Sequence, residues 1–246
     1  MLASTSHQTS AVARLAELAL PGRVHFGLGA PEPVRRLPSD RASLDALLAG
    51  GLPRGRVSEV LGPRSSGKTS LIFTWLAAAT RRGEVVACVD LADALHPASV
   101  AVAGADLRRV LWVRPPSAVA GMRCTELLLH AGGFAMVVLD LGDPMPRPLR
   151  SHLWPRLLRV AEQSHTALVV LAPQRVAGSF AVLSLGIRSQ RAVWHPGRWP
   201  LFEGFATAVH VARNKLGVPG GHALLHVATP TFPLLSKEGA RGWSPT

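Results

Sequence analysis

Nearly unbroken apolar runs, each closed by glycine, proline, arginine or an acid, alternate along this chain with longer stretches where apolar residues recur at helical spacing. The first pattern suits strands buried on both faces, and the second suits amphipathic helices. Residues 55–61 predict a strand, 70–79 a helix that Arg81-Arg82-Gly83 ends, and 84–90 a strand closing on Asp90. A short strand over 110–113, a helix over 118–130 and a strand over 134–140 running into Asp140 follow. A helix over 153–163 and a strand over 167–171 complete the rhythm. This alternation predicts an α/β fold whose mostly parallel central sheet is flanked by helices. Beyond Gln174, short apolar stretches at 181–188, 191–195, 206–212 and 223–228 follow one another without helices. They predict a short antiparallel C-terminal extension.

The two ends read differently from this core. Residues 12–20 are amphipathic, with Val12, Leu15 and Leu18 at helical spacing, and stop at Pro21-Gly22. Such a helix docks either on its own domain or on a neighbouring subunit or partner. Residues 28–40 are Gly/Pro-rich and read as a linker or irregular meander, and the tail carries Pro230, Pro233 and Pro245. The expected division is an N-terminal helix and linker over 1–39, a nucleotide-binding domain over 40–228 and a tail over 229–246.

A chain of 246 residues suffices for one sizeable α/β domain with short extensions. Its net charge of +12, from 27 Lys and Arg against 15 Asp and Glu, favours an acidic partner such as nucleic acid, an acidic protein face or a nucleotide. An arginine-rich composition with no tyrosine accounts for the same charge without any partner. The only cysteines, Cys88 and Cys124, lack metal-ligand spacing and sit in apolar segments, so buried free thiols are expected. The start has no basic stretch before an apolar core, and no apolar run approaches membrane-spanning length. A soluble, cytoplasmic protein is the expectation.

One segment carries defined chemistry. Gly62-Pro63-Arg64-Ser65-Ser66-Gly67-Lys68-Thr69 lies between a predicted strand and a predicted helix, with Ser70 opening that helix. The glycines allow a tight turn, successive N–H groups point inward, and the helix offers its positive end to a phosphate chain. Lys68 reaches the terminal phosphates, and the Thr69 hydroxyl can hold Mg²⁺. A second acid at a strand end is needed to orient the metal; Asp140 fits, and Asp90 competes for the same role. A strand-end aspartate also serves as a helix cap.

Basic residues in the C-terminal third are informative as a group. Arg175, Arg188, Arg191, Arg198, Arg213 and Lys215 outnumber the acids there, and Trp194, Trp199 and Phe202 interleave with them. Such a mixture grips single-stranded DNA through phosphate contacts and stacking, or forms a protein-docking face rich in Trp and Arg. The tryptophans are equally consistent with core positions.

Four blocks together resemble the bacterial recombinase family, RecA. They are Ser43-Leu44-Asp45, the run from Gly50 through Thr69, Asp90-Leu91-Ala92-Asp93-Ala94-Leu95-His96-Pro97, and Arg213-Asn214-Lys215, all in that family's order and spacing. The likeness spans roughly residues 40–228 and implies a RecA-like P-loop NTPase core that binds ATP and Mg²⁺. It also implies that the water-activating glutamate has become Ala92, with Asp93 one residue along as the nearest substitute catalytic acid. A methyl group cannot accept a proton, so slow or absent hydrolysis is expected. His96 and Ser99 stand where the family has an aspartate and a stacking tyrosine. Gln174 matches the glutamine that senses the terminal phosphate, yet only residues 175–180 remain of the long DNA-touching loop that follows. Arg213 and Lys215 match basic residues that reach a neighbour's nucleotide in a filament.

The short RecA-like core, the lost glutamate and the trimmed loop resemble the ImuA family of translesion-synthesis accessory proteins. That resemblance implies a nucleotide-gated adaptor in DNA damage tolerance. Its expected partners are an inactive Y-family polymerase-like protein, an error-prone polymerase and RecA, with single-stranded DNA and a second copy of the chain as further candidates. The rival readings are a DNA-stimulated ATPase acting as a recombination mediator or filament, and a structural protein with a vestigial loop. A small-molecule kinase is disfavoured because nothing resembles a lid or acceptor pocket.

Overall fold

The computed structural model describes residues 34–145, 151–195, 201–217 and 220–228, all within the compact unit Val34–Thr246. The amphipathic segment 12–20, the tail 229–246, Arg198 and Trp199 lie outside the described residues.

Eight strands form one sheet. In chain order these are β3 (Val57–Leu61), β4 (Val85–Asp90), β5 (Val110–Val113), β6 (Phe134–Asp140), β7 (Ala167–Ala172), β8 (Ala181–His195), β9 (Leu201–Asn214) and β10 (His222–Ala228). Across the sheet they stand in the order β10-β9-β8-β3-β7-β6-β4-β5. β3 pairs in parallel with both β7 and β8, and β6 pairs in parallel with both β7 and β4, which holds β5. The pairings of β9 with β8 and β10 are antiparallel. A two-stranded sheet of β1 (Arg36–Leu37) and β2 (Leu52–Pro53) stands beside it.

The helices are α1 (Ala42–Leu47), α2 (Lys68–Arg81), α3 (Pro97–Val102), α4 (Ala118–Ala131) and α5 (Trp154–Ser164). Strand alternation divides the core into two layers. Val86 and Cys88, Met136 and Val138, and Val169 and Leu171 face the side where α2 places Leu71, Ile72, Trp75 and Leu76. Their neighbours Ala87 and Val89, Val137 and Leu139, and Leu168 and Val170 join Met122 and Leu129 of α4 and Leu157 and Val160 of α5 on the other. Near-continuous apolar strands follow from being covered on both sides. Trp75 and Trp154, wholly or almost wholly buried, anchor the two layers, and truncating such a side chain costs about 3–5 kcal/mol.

Two expectations need correction. The C-terminal stretches are not short strands: 181–188 and 191–195 fuse into β8, which bends through register shifts, and β9 is nearly as long. The sheet is therefore mixed, with a long antiparallel ribbon as one wing instead of a short appendage. Residues 36–37, within the stretch read as linker, form β1, and Leu37 is fully buried. A two-residue strand leaves no periodic trace in the sequence.

Candidate functional site

Parallel pairing brings the carboxyl ends of β3, β4, β6 and β7 to one edge of the sheet, where open α/β sheets place their ligands. There the loop 62–67 joins β3 to α2. Gly62 is required by close approach: a Cβ would stand 2.5 Å from the Ile187 carbonyl oxygen. Gly67 adopts φ +94° as the residue before α2, and a Cβ there would meet Thr207 Oγ1 at 3.0 Å. β8 and β9 thus press on the loop from outside.

Lys68 folds over its own loop, its Nζ donating to the carbonyls of Gly62 and, at 2.9 Å, Pro63. Burial lowers the Lys68 pKa, against the opposing pull of Asp140 and Asp143. Burial likewise raises the Asp140 pKa, which a hydrogen bond from Gly142 N at 2.9 Å and the Lys68 charge counteract and the Asp90 charge reinforces.

Residues 63–70 and Asp140 line one cavity of about 860 Å³, within the usual range of small-molecule sites. Two hydroxyls in its lining, Ser66 Oγ and Thr207 Oγ1, are buried and make no hydrogen bond among the described residues. Thr69, Asp90 and Asp140 also border a small adjoining pocket. Asp90 is already committed: its carboxylate accepts from Ala94 N at 3.1 Å, Leu95 N at 2.8 Å and Trp112 Nε1 at 3.3 Å. It shapes the loop after β4, in register beside Asp140.

Not every expected residue joins the cavity. Ala92 lines it, but Asp93 does not; Asp93 takes φ +51° and its carboxylate pairs at the surface with Arg114 at 3.5 Å. Gln174 is exposed and outside the lining. Arg213 donates to the Gly178 carbonyl at 2.8 Å, Arg175 to the same oxygen at 3.1 Å, and Lys215 to that of Ser179. All three fasten the segment 175–180. Arg188 and Arg191 are exposed on β8 opposite Ala208 and Ala206, and Trp194 farther along is 55% exposed.

The sequence reading missed three residues. Phe205 and Thr207 of β9 line the cavity, and their place depends on sheet order, which no local pattern carries. Glu59, fully buried on β3, accepts from Val176 N at 2.8 Å, Ala177 N at 2.7 Å and Ser184 Oγ at 2.9 Å. An acid inside an apolar strand was its only signal.

Residues 24–145 match the model of the RecA N-terminal domain. Protein RecA of Acholeplasma laidlawii is 38% identical over 116 residues, 47% of this chain and 35% of that protein. Protein RecA of Streptomyces ambofaciens is 34% identical over 148 residues, 56% of this chain and 39% of that protein. The chain thus spans little more than a third of the length of these relatives. A solved structure, the RadB recombinase, superposes with a TM-score of 0.61 at 21% identity, covering 77% of this chain and 95% of its own, a likeness of fold. Residues 24–145 are thus RecA-like in sequence, and the sheet that carries them shares its fold with the RadB recombinase.

Proposed function

We propose that this chain binds ATP with Mg²⁺ over the loop 62–67 and works through that nucleotide in recombination-related DNA repair. The observation that carries the reading is the cavity itself: loop amides at the start of α2, Lys68 and Asp140 in one lining, and two buried hydroxyls with no hydrogen-bond partner among the described residues. These groups fit a triphosphate, since a helix start and a lysine complement its charge. Thr69 and Asp140 would hold Mg²⁺ together with phosphate oxygens, the arrangement this metal favours. Bound Mg²⁺ would supply charge neutralisation between the phosphates. On binding, Lys68 exchanges its loop carbonyls for phosphate oxygens.

Two uses of the nucleotide remain distinct. Similarity to recombinases supports a DNA-stimulated ATPase acting as a mediator or in a filament. Because Asp93 pairs with Arg114 outside the cavity, this use requires an acid from a neighbouring subunit to activate water. Ala92 in the lining favours the second use, an accessory to translesion synthesis in which ATP binding alone selects a partner-binding state. Its partners would be the Y-family-like protein, the error-prone polymerase and RecA.

Equilibrium ATP binding and single-turnover hydrolysis, each with and without single-stranded DNA, test the proposal. Binding that Lys68→Ala abolishes supports the nucleotide site. DNA-stimulated turnover then selects the recombination ATPase, and binding without turnover selects the accessory. Absence of ATP binding by the wild-type chain overturns both.

A further inference from the structure

We propose that β9 completes the nucleotide site, with Phe205 as the platform on which the base stacks and the Thr207 hydroxyl donating to the phosphate chain beside Gly67. This inference rests on the ATP-binding reading above and goes beyond it by naming what holds the base.

Phe205 is the one aromatic side chain among the described residues lining the cavity, and it is 46% exposed. Phe205 and Thr207 share a face of β9 with Val209 and Val211, since side chains alternate along a strand. Val209 and Val211 pack in the same layer as Leu71, Ile72 and Trp75 of α2. That shared face carries Phe205 and Thr207 past the start of α2 and against the loop, as the 3.0 Å approach of Thr207 Oγ1 to a Cβ on Gly67 shows. Thr207 is 1% exposed and its Oγ1 has no hydrogen-bond partner among the described residues. A buried hydroxyl beside loop amides is costly without a partner, and a phosphate oxygen accepting from it removes that cost.

The polar groups after β4 offer no rival platform. His96 Nδ1 and Ser99 Oγ bond to each other at 3.0 Å, and neither residue lines the cavity. The base is therefore held chiefly by its π-face. Base–aromatic stacking is worth from about fivefold to more than a hundredfold in affinity and tolerates any base, so ATP and GTP should bind alike.

The test is calorimetric titration of the full chain with ATP and with inorganic triphosphate, paired with fluorescence of etheno-ATP, whose emission stacking quenches. Phe205→Ala should weaken ATP about tenfold, leave triphosphate affinity unchanged and remove the quenching. Phe205→Leu, which keeps apolar bulk and so guards against misfolding, should act in the same direction. Thr207→Val should weaken ATP and triphosphate together. If the wild type binds ATP and both Phe205 variants match it in affinity and quenching, the inference is overturned while the ATP reading stands. If the wild type binds neither ATP nor triphosphate, the ATP reading fails and carries the inference down with it.

Discussion

Oε1 of Glu59 lies 2.7 Å from the backbone nitrogen of Ala177, tying the strand that leads into the loop 62–67 to the segment that follows Gln174. Both residues are buried, Glu59 completely. The same carboxylate takes Val176 N and Ser184 Oγ, with Arg175 Nε at 3.8 Å from its second oxygen. Removing it strands two backbone donors in the interior. Glu59→Ala should cost about 3 kcal/mol of unfolding free energy, by the magnitude of buried charge-assisted hydrogen bonds. Glu59→Gln should cost less, because an amide oxygen still accepts. Urea denaturation of the three proteins measures both, and wild-type stability in Glu59→Ala would refute the tie.

Asp93 and Ala92 make opposite predictions. Asp93 pairs with Arg114 outside the cavity, so Asp93→Asn should change neither ATP affinity nor single-turnover hydrolysis. Ala92 lies in the lining, its Cβ 2.9 Å from where a Cβ on Gly142 would stand. Ala92→Glu places a carboxylate there and should raise single-turnover hydrolysis by about a hundredfold, the lower range for a positioned base. A loss of turnover in Asp93→Asn would promote that residue instead.

Asp140 sets a pH dependence. Burial holds its folded pKa above the ordinary 3.8, so folding favours the protonated form. Its contribution to stability is fully present below pH 3.8 and is lost as pH rises through the raised folded value. Above that value the carboxylate is charged at a cost. Asp140→Asn, whose amide oxygen keeps the Gly142 bond, should therefore be more stable than wild type at neutral pH, with the gain shrinking as the solution is acidified. Chemical denaturation at a series of pH values reads this, and a gain that grows toward acid would reverse the assignment.

Gly62 tolerates no side chain. With a Cβ 2.5 Å from the Ile187 carbonyl oxygen, Gly62→Ala must move the loop or β8. ATP binding should fall at least tenfold, and the melting temperature should drop as well. Titration of a folded Gly62→Ala protein that bound ATP normally would show the loop to be more pliant than this packing allows.

Cys88 should be inert. It is 3% exposed and its thiol is pushed up to about 12, first by burial and then by Asp90 and Asp140. The thiolate is the reactive species, so a thiol reagent at pH 8 should label Cys124 in the native protein and reach Cys88 only after unfolding.

Much of this site was readable residue by residue. The loop 62–69 and Asp140 follow from local order, because a strand, a turn and a helix in succession place their own residues, whereas Ala92 came from the resemblance to RecA. Asp93 was not readable in that way. Whether a carboxylate one position along enters the cavity depends on backbone direction, and its positive φ turns it toward Arg114. Arg213 and Lys215 likewise look like free cations in sequence, yet in the fold they hold carbonyls of the segment 175–180.

Composition and periodicity alone dictated a two-faced sheet, since strands apolar at every position fold only between two helical layers. They also dictated the loop that opens α2, since its turn needs its own glycines and lysine. Sheet order, in contrast, came from packing. β9 reaches the loop only because β8 pairs beside β3 and β9 folds back along β8, contacts among residues far apart in the chain. Phe205, Thr207 and Glu59 took their roles from those long-range pairings, in which backbone hydrogen bonds carry no mark of which distant strand will make them.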